Sequence, residues 1–401
     1  MITVQEATHT ILSNLPILAK EDCELENAHG RILRQEILAD RDLPPFDRIM
    51  MDGIAINFEA CKPNIGNPIK CQIEGHQAAG TPALTLSNKS NCIEVSTGAT
   101  LPSGADTIIP VEEISIENDH AIIDPQASIR QWQYIHKQAS DHPKGTALLS
   151  SGTFLNSKEI AAAASAGLST LSVSCLPKIA LISTGDELVS VQETPKPHQI
   201  RQSNAHMLAA SINSQKLGKP FIYHIQDNQE LLIKEIAPLL EEHDLLVFSG
   251  GVSKGKKDFL PQTLEKLGVV KKVHWVAQRP GKPLWFGISN DPKPIFGLPG
   301  NPLSTLTCYH RYINPALEKM ALKSEGLQFQ VKLADDFEFS PPLTCFLPVK
   351  LIQSSSETQA IPCPANNSGD YSGILETSGF VEIPQEVSVA TKGSHYPFIP
   401  W

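Results

Sequence analysis

The sequence has no excess of basic residues and no long apolar run, and each absence excludes a class of protein. With 43 Asp and Glu against 33 Lys and Arg, the formal net charge is −10. This charge argues against general binding of nucleic acid, which requires a basic face. No run of about 18 apolar residues predicts a membrane span, and the N-terminus lacks the basic and apolar regions of a signal peptide.

Paired cysteines are also absent. The eight cysteines are scattered along the chain, and no two form a CxxC pair. Reduced, buried thiols are therefore expected rather than zinc ligands or disulfides, and this pattern predicts a cytoplasmic location. A chain of 401 residues with 41% hydrophobic residues is typical of a globular protein with several domains.

The residue pattern changes along the chain and predicts a multidomain α/β plus β fold. Thr3 and Glu6 form a capping-box pattern that opens an amphipathic helix, so the N-terminal segment is expected to be helical. Short alternations, as at 92–95 and 107–109, and turn residues indicate small β-strands elsewhere. The predicted domains are a helical linker domain at 1–43 with 144–172, a β-rich domain at 44–143, an α/β domain at 173–330 and a small C-terminal β-domain at 331–401.

Residues 173–330 repeat a strand, a loop and a helix. Apolar strands are predicted from Lys178, Leu245 and Pro294, with a helix over 229–242 and a long helix from Pro302. Alternation of this kind predicts a mostly parallel sheet with helices on both faces, which is a central three-layer α/β domain.

Three unusual loops follow predicted strands of this domain, where ligands of open parallel sheets gather. They lie within ISTGDELV (182–189), SGGVSKGKKDF (249–259) and FGLPGNPLS (296–304). A glycine after a strand is usually only a turn residue. Three such loops with polar side chains at one sheet edge nevertheless favour a binding site.

The SGGVSKGKKDF stretch has the features of a phosphate site. Its glycines let backbone N–H groups approach a ligand, a helix N-terminus follows, and three lysines add charge. Asp258 is available to hold a divalent cation. A solvated basic loop is the alternative. The stretch also fits GxxxxGK, but Lys257 stands where a P-loop has Ser or Thr, which argues against a Walker-type NTPase.

The turn RPGKP (279–283) joins two strand-like runs. Its prolines stiffen the backbone and its Arg and Lys offer two cations, which suits a compact oxyanion. A stiff surface turn with exposed bases is the alternative.

Together with PPFDRIMMDGIA (44–55), VSTGATLPSGADTII (95–109), IRQSN (200–204) and RPGKPLWFG (279–287), these stretches resemble the molybdopterin molybdenumtransferases, the family of MoeA and the gephyrin E domain. The resemblance spans almost the whole chain. It implies an elongated subunit that forms a homodimer, an α/β domain of the molybdopterin-binding type, and an active site completed by the β-rich domain of the other subunit. The implied reaction inserts molybdenum from molybdate into adenylyl-molybdopterin, releases AMP and forms the molybdenum cofactor.

The resemblance also assigns site residues and partners. It implies catalytic roles for Asp52, Thr97, Asp141, Glu187, Asp227 and Asp258, of which the last three would hold Mg²⁺. Arg279, Lys282 and Ser304 would bind molybdate. Further partners implied are a molybdopterin adenylyltransferase and recipient molybdoenzymes. The substrate-binding residues implied are Ser183, Thr184, Gly185, Asp186, Ser249, Gly250, Gly251, Ser253, Gly255, Arg279, Lys282, Pro283, Pro299, Asn301, Pro302, Ser304 and Ser368.

The sequence departs from the family pattern at several positions. Ile49 and Met50 replace a serine and a small residue, and His136 lies in a run of which only Asp141 carries over. Pro348 stands in place of an arginine that helps to hold molybdate. Two alternatives therefore remain, a molybdopterin adenylyltransferase and a non-enzymatic gephyrin-like scaffold. The RPGKP turn and the additional domains disfavour the first, and the retained strand-end acids disfavour the second.

Overall fold

The computed structural model describes residues 1–61, 68–252, 259–353, 357–365, 367, 369 and 371–401. They divide into two compact units. The larger unit comprises Met1–Gln35, Ser151–Ile160 and Thr170–Trp401, and the smaller unit comprises Glu36–Ser150 and Ala161–Ser169. Among the helices of the described residues, none is long and apolar enough to cross a membrane.

The helices are short, and several begin at a recognisable capping signal. In the first, Glu6 N donates to Thr3 Oγ1 at 3.1 Å while Thr3 N donates to the Glu6 carboxylate at 2.7 Å, which confirms the predicted capping box. A π-helical turn, Tyr309–Ile313, joins the sixth and seventh helices. The helices are α1 Val4–Ser13, α2 Ser157–Ser165, α3 Asn204–Gln215, α4 Gln229–Glu242, α5 Leu260–Lys266, α6 Pro302–Cys308, α7 Asn314–Met320 and α8 Tyr371–Leu375.

The strands are distributed over both units. In chain order they are β1 Lys20–Glu24, β2 Ile37–Leu38, β3 Arg48–Ile49, β4 Gly53–Ile56, β5 Ile69–Gln77, β6 Cys92–Val95, β7 Thr107–Pro110, β8 Ile114–Glu117, β9 His120–Ile123, β10 Ile135–His136, β11 Ala147–Leu149, β12 Thr170–Ser174, β13 Lys178–Thr184, β14 Leu188–Val189, β15 Ile200–Arg201, β16 Lys219–Ile225, β17 Leu245–Ser249, β18 Val270–His274, β19 Gln278–Arg279, β20 Trp285–Ile288, β21 Pro294–Leu298, β22 Phe329–Leu333, β23 Phe337–Glu338, β24 Thr344–Gln353, β25 Thr358–Pro362, β26 Gly379–Ile383, β27 Val389–Ala390 and β28 His395–Pro400.

The main sheet of the larger unit has the order β16-β13-β17-β21-β20-β18. The first four strands are parallel, and β20 and β18 continue the sheet in antiparallel fashion. Strands β17 and β21 are buried along their whole length, as expected for central parallel strands that are covered on both faces.

Alternate residues of these strands enter two separate hydrophobic cores. On one side, Leu181 and Val247 pack with residues of α1, α3 and α7. On the other side, Ile182 and Phe248 pack with residues of α4 and α5. The period of two along each strand therefore sends successive side chains to opposite faces.

The C-terminal strands form a barrel within the same unit. The order β24-β25-β22-β28-β26 is closed by pairing of β24 with β26, and β19 adds to β24 in parallel. Cys345, Leu347 and Val349 point into the barrel core, whereas Phe346 packs into the α/β core. Strand β24 therefore belongs to both structures.

The smaller unit is built on a sheet with the order β7-β4-β6-β5-β9-β8. Its two faces carry separate apolar clusters, one around Ile93 and one around Ile54. The predicted strands Cys92–Val95 and Thr107–Ile109 are both confirmed, the second extending to Pro110.

The prediction of a helical linker domain at 1–43 with 144–172 is confirmed only in part. In these ranges only Val4–Ser13 and Ser157–Ser165 form α-helices. Lys20–Glu24 instead pairs antiparallel with Thr170–Ser174, a segment far away in sequence. This charged strand buries only Cys23, so its conformation is set by its distant partner rather than by a local apolar period.

In the α/β region the predicted elements agree more closely with the structure. The helix over 229–242 matches α4, and its Asn228 side chain accepts from the N–H groups of Glu230 and Leu231. The helix predicted from Pro302 begins there, but the π-helical turn interrupts it after Cys308.

Candidate active site

Three strand ends of the main sheet converge in the larger unit. Ser183, Thr184 and Ser249 are buried there, and Gly250 N donates to Leu298 O at 3.0 Å. Gly250 has φ +104°, and a Cβ at this position would lie 2.8 Å from Thr184 O. Only glycine therefore allows the second loop to lie so close to the first.

Asn204, the first residue of α3, connects two of these loops. Its Nδ2 donates to Ser249 Oγ at 2.8 Å and to Gly300 O at 2.7 Å. The IRQSN segment (200–204) contributes to the family resemblance, but its sequence predicts no contact for Asn204. The segment's resemblance was the available signal, but the contact itself depends on tertiary structure.

Acidic residues gather near the ends of the neighbouring strands β13 and β16. Asp227 N donates to Asp186 Oδ1 at 3.3 Å, and His224 Nε2 lies 3.2 Å from Gly185 O. A Cβ on Gly185 would lie 2.7 Å from both Glu187 carboxylate oxygens. Glycine therefore leaves the space into which this exposed carboxylate folds back.

The predicted metal site is only partly described. Asp227 and Glu187 follow adjacent parallel strands, but Asp258 lies outside the described residues. The described residues alone contain no group of three or more His, Cys, Asp and Glu that could hold a metal. The assignment of Glu187, Asp227 and Asp258 therefore stays a prediction.

The RPGKP turn is fixed at both ends by backbone pairing. Gln278 and Arg279 pair with Thr344 and Cys345 of the barrel, while Val276 N donates to Lys282 O at 3.0 Å. The turn thus presents its two cations from a connection between the α/β sheet and the barrel.

A cavity of about 840 Å³ opens beside this turn. One side is polar and carries Arg279, Lys282, Asn301 and Ser304, whereas the other is largely apolar and formed by the barrel and its approach. The apolar side had no signal in the sequence, because its residues come from separate segments. They are Phe337, Phe339, Leu343, Phe346, Leu347 and Pro348.

The third loop enters the cavity at the start of α6. Asn301 is the N-cap residue, and Thr305 Oγ1 donates to Pro299 O at 2.7 Å and Asn301 O at 3.1 Å. Ser304 is buried and lines the cavity. These bonds hold the loop in place while one hydroxyl faces the cavity.

The cavity brings together a subset of the predicted substrate-binding residues. These are Gly251, Arg279, Lys282, Pro283, Pro299, Asn301 and Ser304. The second and third loops also carry Ser249, Gly250 and Pro302, which do not line it. The first loop, which carries Ser183, Thr184, Gly185 and Asp186, contributes no residue to the lining. Ser253, Gly255 and Ser368 lie outside the described residues. Pro348 lines the cavity, whereas Lys350, two residues further along β24, is exposed and is not part of the lining.

The remaining predicted residues, Asp52, Thr97 and Asp141, lie in the smaller unit. Asp52 Oδ1 accepts from Thr97 N at 2.6 Å and from Thr97 Oγ1 at 2.9 Å. The backbone N–H and then the hydroxyl of Thr97 lower the pKa of Asp52 below its ordinary value.

Asp141 takes part in a second polar group of the smaller unit. Its Oδ1 lies 2.8 Å from His136 Nε2, and Arg48 lies 3.1 Å from His136 Nδ1. His136, which departs from the family pattern, is therefore the residue that holds Asp141. Arg48 belongs to β3, which pairs with β10 and also bridges Thr100.

The sheet, the barrel and the cavity define a multidomain protein built around an α/β domain with a candidate ligand-binding cavity. The chain matches the MoeA N-terminal region (domain I and II) over residues 2–167, a probable molybdopterin binding domain over 180–319 and the MoeA C-terminal region (domain IV) over 330–401. The chain belongs to the MoeA family of molybdopterin molybdenumtransferases.

Individual relatives resemble the chain over its full length. A molybdopterin molybdenumtransferase of Synechocystis sp. is 38% identical over 404 residues, covering 100% of both chains. One from Staphylococcus epidermidis is 32% identical and covers 96% of this chain and 91% of its own. A crystal structure of the molybdopterin biosynthesis MoeA protein from Pyrococcus horikosii aligns with a TM-score of 0.81 at 29% identity, covering 100% of this chain and 99% of that one.

Proposed function

We propose that this chain inserts molybdenum from molybdate into adenylyl-molybdopterin, releasing AMP and forming the molybdenum cofactor. The observation that carries the proposal is the cavity in which the RPGKP turn and the loop after β21 meet. A mixed lining of this kind suits a ligand with both anionic and apolar parts.

Molybdate is proposed to bind at the polar side of the cavity. Arg279 and Lys282 supply two positive charges against a dianion, and Ser304 supplies a hydroxyl donor. Pro348 provides neither a charge nor a hydrogen-bond donor. In the described part of this site, Arg279 and Lys282 therefore supply the positive charge that neutralises molybdate.

The nucleotide-linked pterin is proposed to lie along the strand-end loops. Gly250 and Gly251 have φ +104° and +72°, which exposes backbone groups of the second loop. Thr184 Oγ1 is buried beside them and has no hydrogen-bond partner among the described residues. It is therefore a polar group suited to a ligand. Ser183 and Ser249 lie at the same strand ends.

Mg²⁺ is proposed to bind among the strand-end carboxylates. The carboxylates of Glu187 and Asp227 are hard oxygen donors of the kind this ion prefers, and they follow adjacent strands. Asp258 would complete the set. When bound, the ion would neutralise charge on phosphate oxygens during cleavage of the phosphoanhydride.

The resemblance further supports an elongated homodimeric subunit with the domain boundaries given above. The core clusters on the two faces of the main sheet support a three-layer α/β domain. In this arrangement the residue 44–143 domain of one subunit completes the active site of the other. Asp52, Thr97 and Asp141 would orient the substrate there. The cytoplasmic location and the exchange with a molybdopterin adenylyltransferase and recipient molybdoenzymes stay predictions.

Reconstitution tests this function directly. Purified protein is mixed with adenylyl-molybdopterin, molybdate and Mg²⁺, and AMP and molybdenum cofactor are quantified. We expect AMP release that requires all three components and falls when Asp227→Asn or Glu187→Gln is introduced, with partial recovery at higher Mg²⁺. A parallel reaction with ATP and free molybdopterin tests the adenylyltransferase alternative. No release in the first mixture and rapid adenylylation in the second would replace the proposal with that alternative.

A further inference from the structure

Gln278 is a buried residue that immediately precedes the RPGKP turn, which carries the two cavity cations Arg279 and Lys282. Its side chain is fully buried, and its Nε2 donates to Gly281 O at 3.0 Å. The same carbonyl accepts from Leu284 N at 3.1 Å. The oxygen at the centre of the RPGKP turn therefore accepts hydrogen bonds from the backbone, from this side chain and from the Cys308 thiol.

The other end of the Gln278 amide is held by Tyr312. The Tyr312 hydroxyl donates to Gln278 Oε1. Tyr312 lies on the π-helical turn Tyr309–Ile313 and is buried. Because a π-turn changes the direction in which side chains leave a helix, this local irregularity brings a core tyrosine to the amide.

The turn packs closely against this contact at Gly281. Gly281 has φ +88°, and a Cβ there would lie 2.4 Å from Cys308 Sγ and 2.7 Å from Gln278 Nε2. The turn is therefore pressed against the amide and the thiol, so a change in the amide's position must move the turn.

We infer that Gln278, held by Tyr312, is a positioning residue that sets where the Arg279 and Lys282 side chains meet an oxyanion in the cavity. The inference rests on the proposed function in identifying the oxyanion as molybdate. Neither Gln278 nor Tyr312 needs to touch the reacting atoms. Their contribution is a hydrogen-bonded chain from the helix to the turn, and loss of this chain lets the two cations spread over several positions.

The chain offers a matched pair of variants for the test. Tyr312→Phe removes the hydroxyl that holds Gln278 and keeps the ring. Tyr309→Phe removes a buried hydroxyl from the same π-turn, but Tyr309 Oη has no hydrogen-bond partner among the described residues. Molybdate binding by the purified chain is measured by equilibrium dialysis, and the molybdate dependence of AMP release is measured in parallel.

We expect Tyr312→Phe to raise the molybdate Kd and KM about tenfold while kcat changes less than about twofold, because the cations are displaced but not removed. Tyr309→Phe should leave both constants within about twofold of wild type. Equal molybdate affinity in the two variants would overturn the inference, as would a Tyr312→Phe effect confined to kcat.

A double-variant cycle tests whether Tyr312 acts through Gln278. Gln278→Met removes the amide and keeps the length of the side chain. We expect Tyr312→Phe to have no additional effect on molybdate Kd in the Gln278→Met background. A further increase of the same size there would overturn the inference. If a thermal melt shows that the Tyr312→Phe variant is not folded, the molybdate Kd of Gln278→Met is compared with that of Tyr309→Phe instead.

The binding measurement separates this inference from the proposed function. If the wild-type protein binds molybdate but releases no AMP, the proposed reaction is contradicted. The molybdate Kd values of the variants then still test the role of Gln278. A wild type that binds no molybdate overturns the inference itself.

Discussion

Single residues determine the charge inside the cavity. Arg279 and Lys282 stand on either side of the Pro280-Gly281 pair, three positions apart, and both line the cavity. The barrel side offers Pro348 and apolar side chains, which bring no positive charge. At this scale, the proposed anion binding therefore depends on the RPGKP turn, and removing one of its charges should have a measurable effect on molybdate affinity.

Lys282→Ala should raise the molybdate concentration needed for half-maximal AMP release by about 10- to 100-fold, which is the range for loss of a charge-assisted hydrogen bond. The change is measured by titrating molybdate at saturating adenylyl-molybdopterin. Lys272→Ala is the control, because Lys272 is exposed on β18 and is not part of the cavity lining. Identical titrations for the two variants would remove Lys282 from the molybdate site.

The environment of Glu74 predicts that the stability of the fold depends on pH. Hydrogen bonds from the hydroxyl and then the backbone N–H of Ser87, joined by Asn91 and Asn88, lower the pKa of Glu74 from 4.5 to about 2. A depressed carboxyl pKa stabilises the fold at pH values above the unfolded pKa, and this contribution is lost as pH falls through the folded pKa.

Glu74→Gln should therefore be less stable than wild type above pH 4.5, and the difference should disappear as the pH falls through about 2. Urea unfolding of both proteins over a pH series measures this difference. Glu117→Gln, at an exposed position on β8, is the control. A Glu74→Gln deficit that stays constant down to the lowest pH would contradict the assigned cause.

At the scale of elements, close approach of loops builds the strand-end edge. The loop after β17 lies against the end of β13, and Asn204 ties it to the loop after β21. These contacts hold together three loops that have little regular secondary structure of their own. Their geometry should therefore be sensitive to one added methyl group.

Gly250→Ala should lower the free energy of unfolding by about 1–3 kcal/mol, because alanine is strained at positive φ and its Cβ would lie 2.8 Å from Thr184 O. It should also weaken binding of adenylyl-molybdopterin. Urea denaturation and a substrate titration measure the two effects. Gly326→Ala is the control, since a Cβ there has no atom within 4 Å. Equal free energies of unfolding for the two variants would show that the loop accommodates the added methyl group without strain.

At the scale of the whole molecule, the larger unit joins its N-terminal helix, α/β sheet and barrel. Arg311 of the π-turn donates to Glu382 of the barrel at 2.8 Å and to Thr8 of α1 at 3.1 Å. The proposed homodimer adds a second requirement, that residues of the smaller unit act in the partner's active site.

Mixed dimers test that requirement. Asp52→Asn and the Arg279→Ala/Lys282→Ala double variant are expected to be nearly inactive alone at low molybdate. Refolded together in equal amounts, they should recover about a quarter of wild-type activity, because half of the dimers are mixed and each has one intact site. Native mass measurement counts the mixed dimers. Their formation without any recovery of activity would contradict a shared site.

Much of the α/β domain was predictable because its signals are local. Apolar runs predicted β13, β17 and β21, and the helical pattern over 229–242 predicted α4. The short helical expectation at α1 also held, since a capping box needs only four residues. The extended helical linker did not hold, because β1 is specified by its pairing with β12 rather than by its own pattern.

The sequence by itself determined the family, the alternation of strand, loop and helix in the α/β region and the two basic residues of the RPGKP turn, since motifs and periodicity are written in consecutive residues. Only the tertiary structure decided which loops meet, through Asn204, and that Tyr312 reaches Gln278. The apolar side of the cavity was decided there as well. These contacts join residues that are distant along the chain, so their positions depend on how the sheet, the π-turn and the barrel pack together.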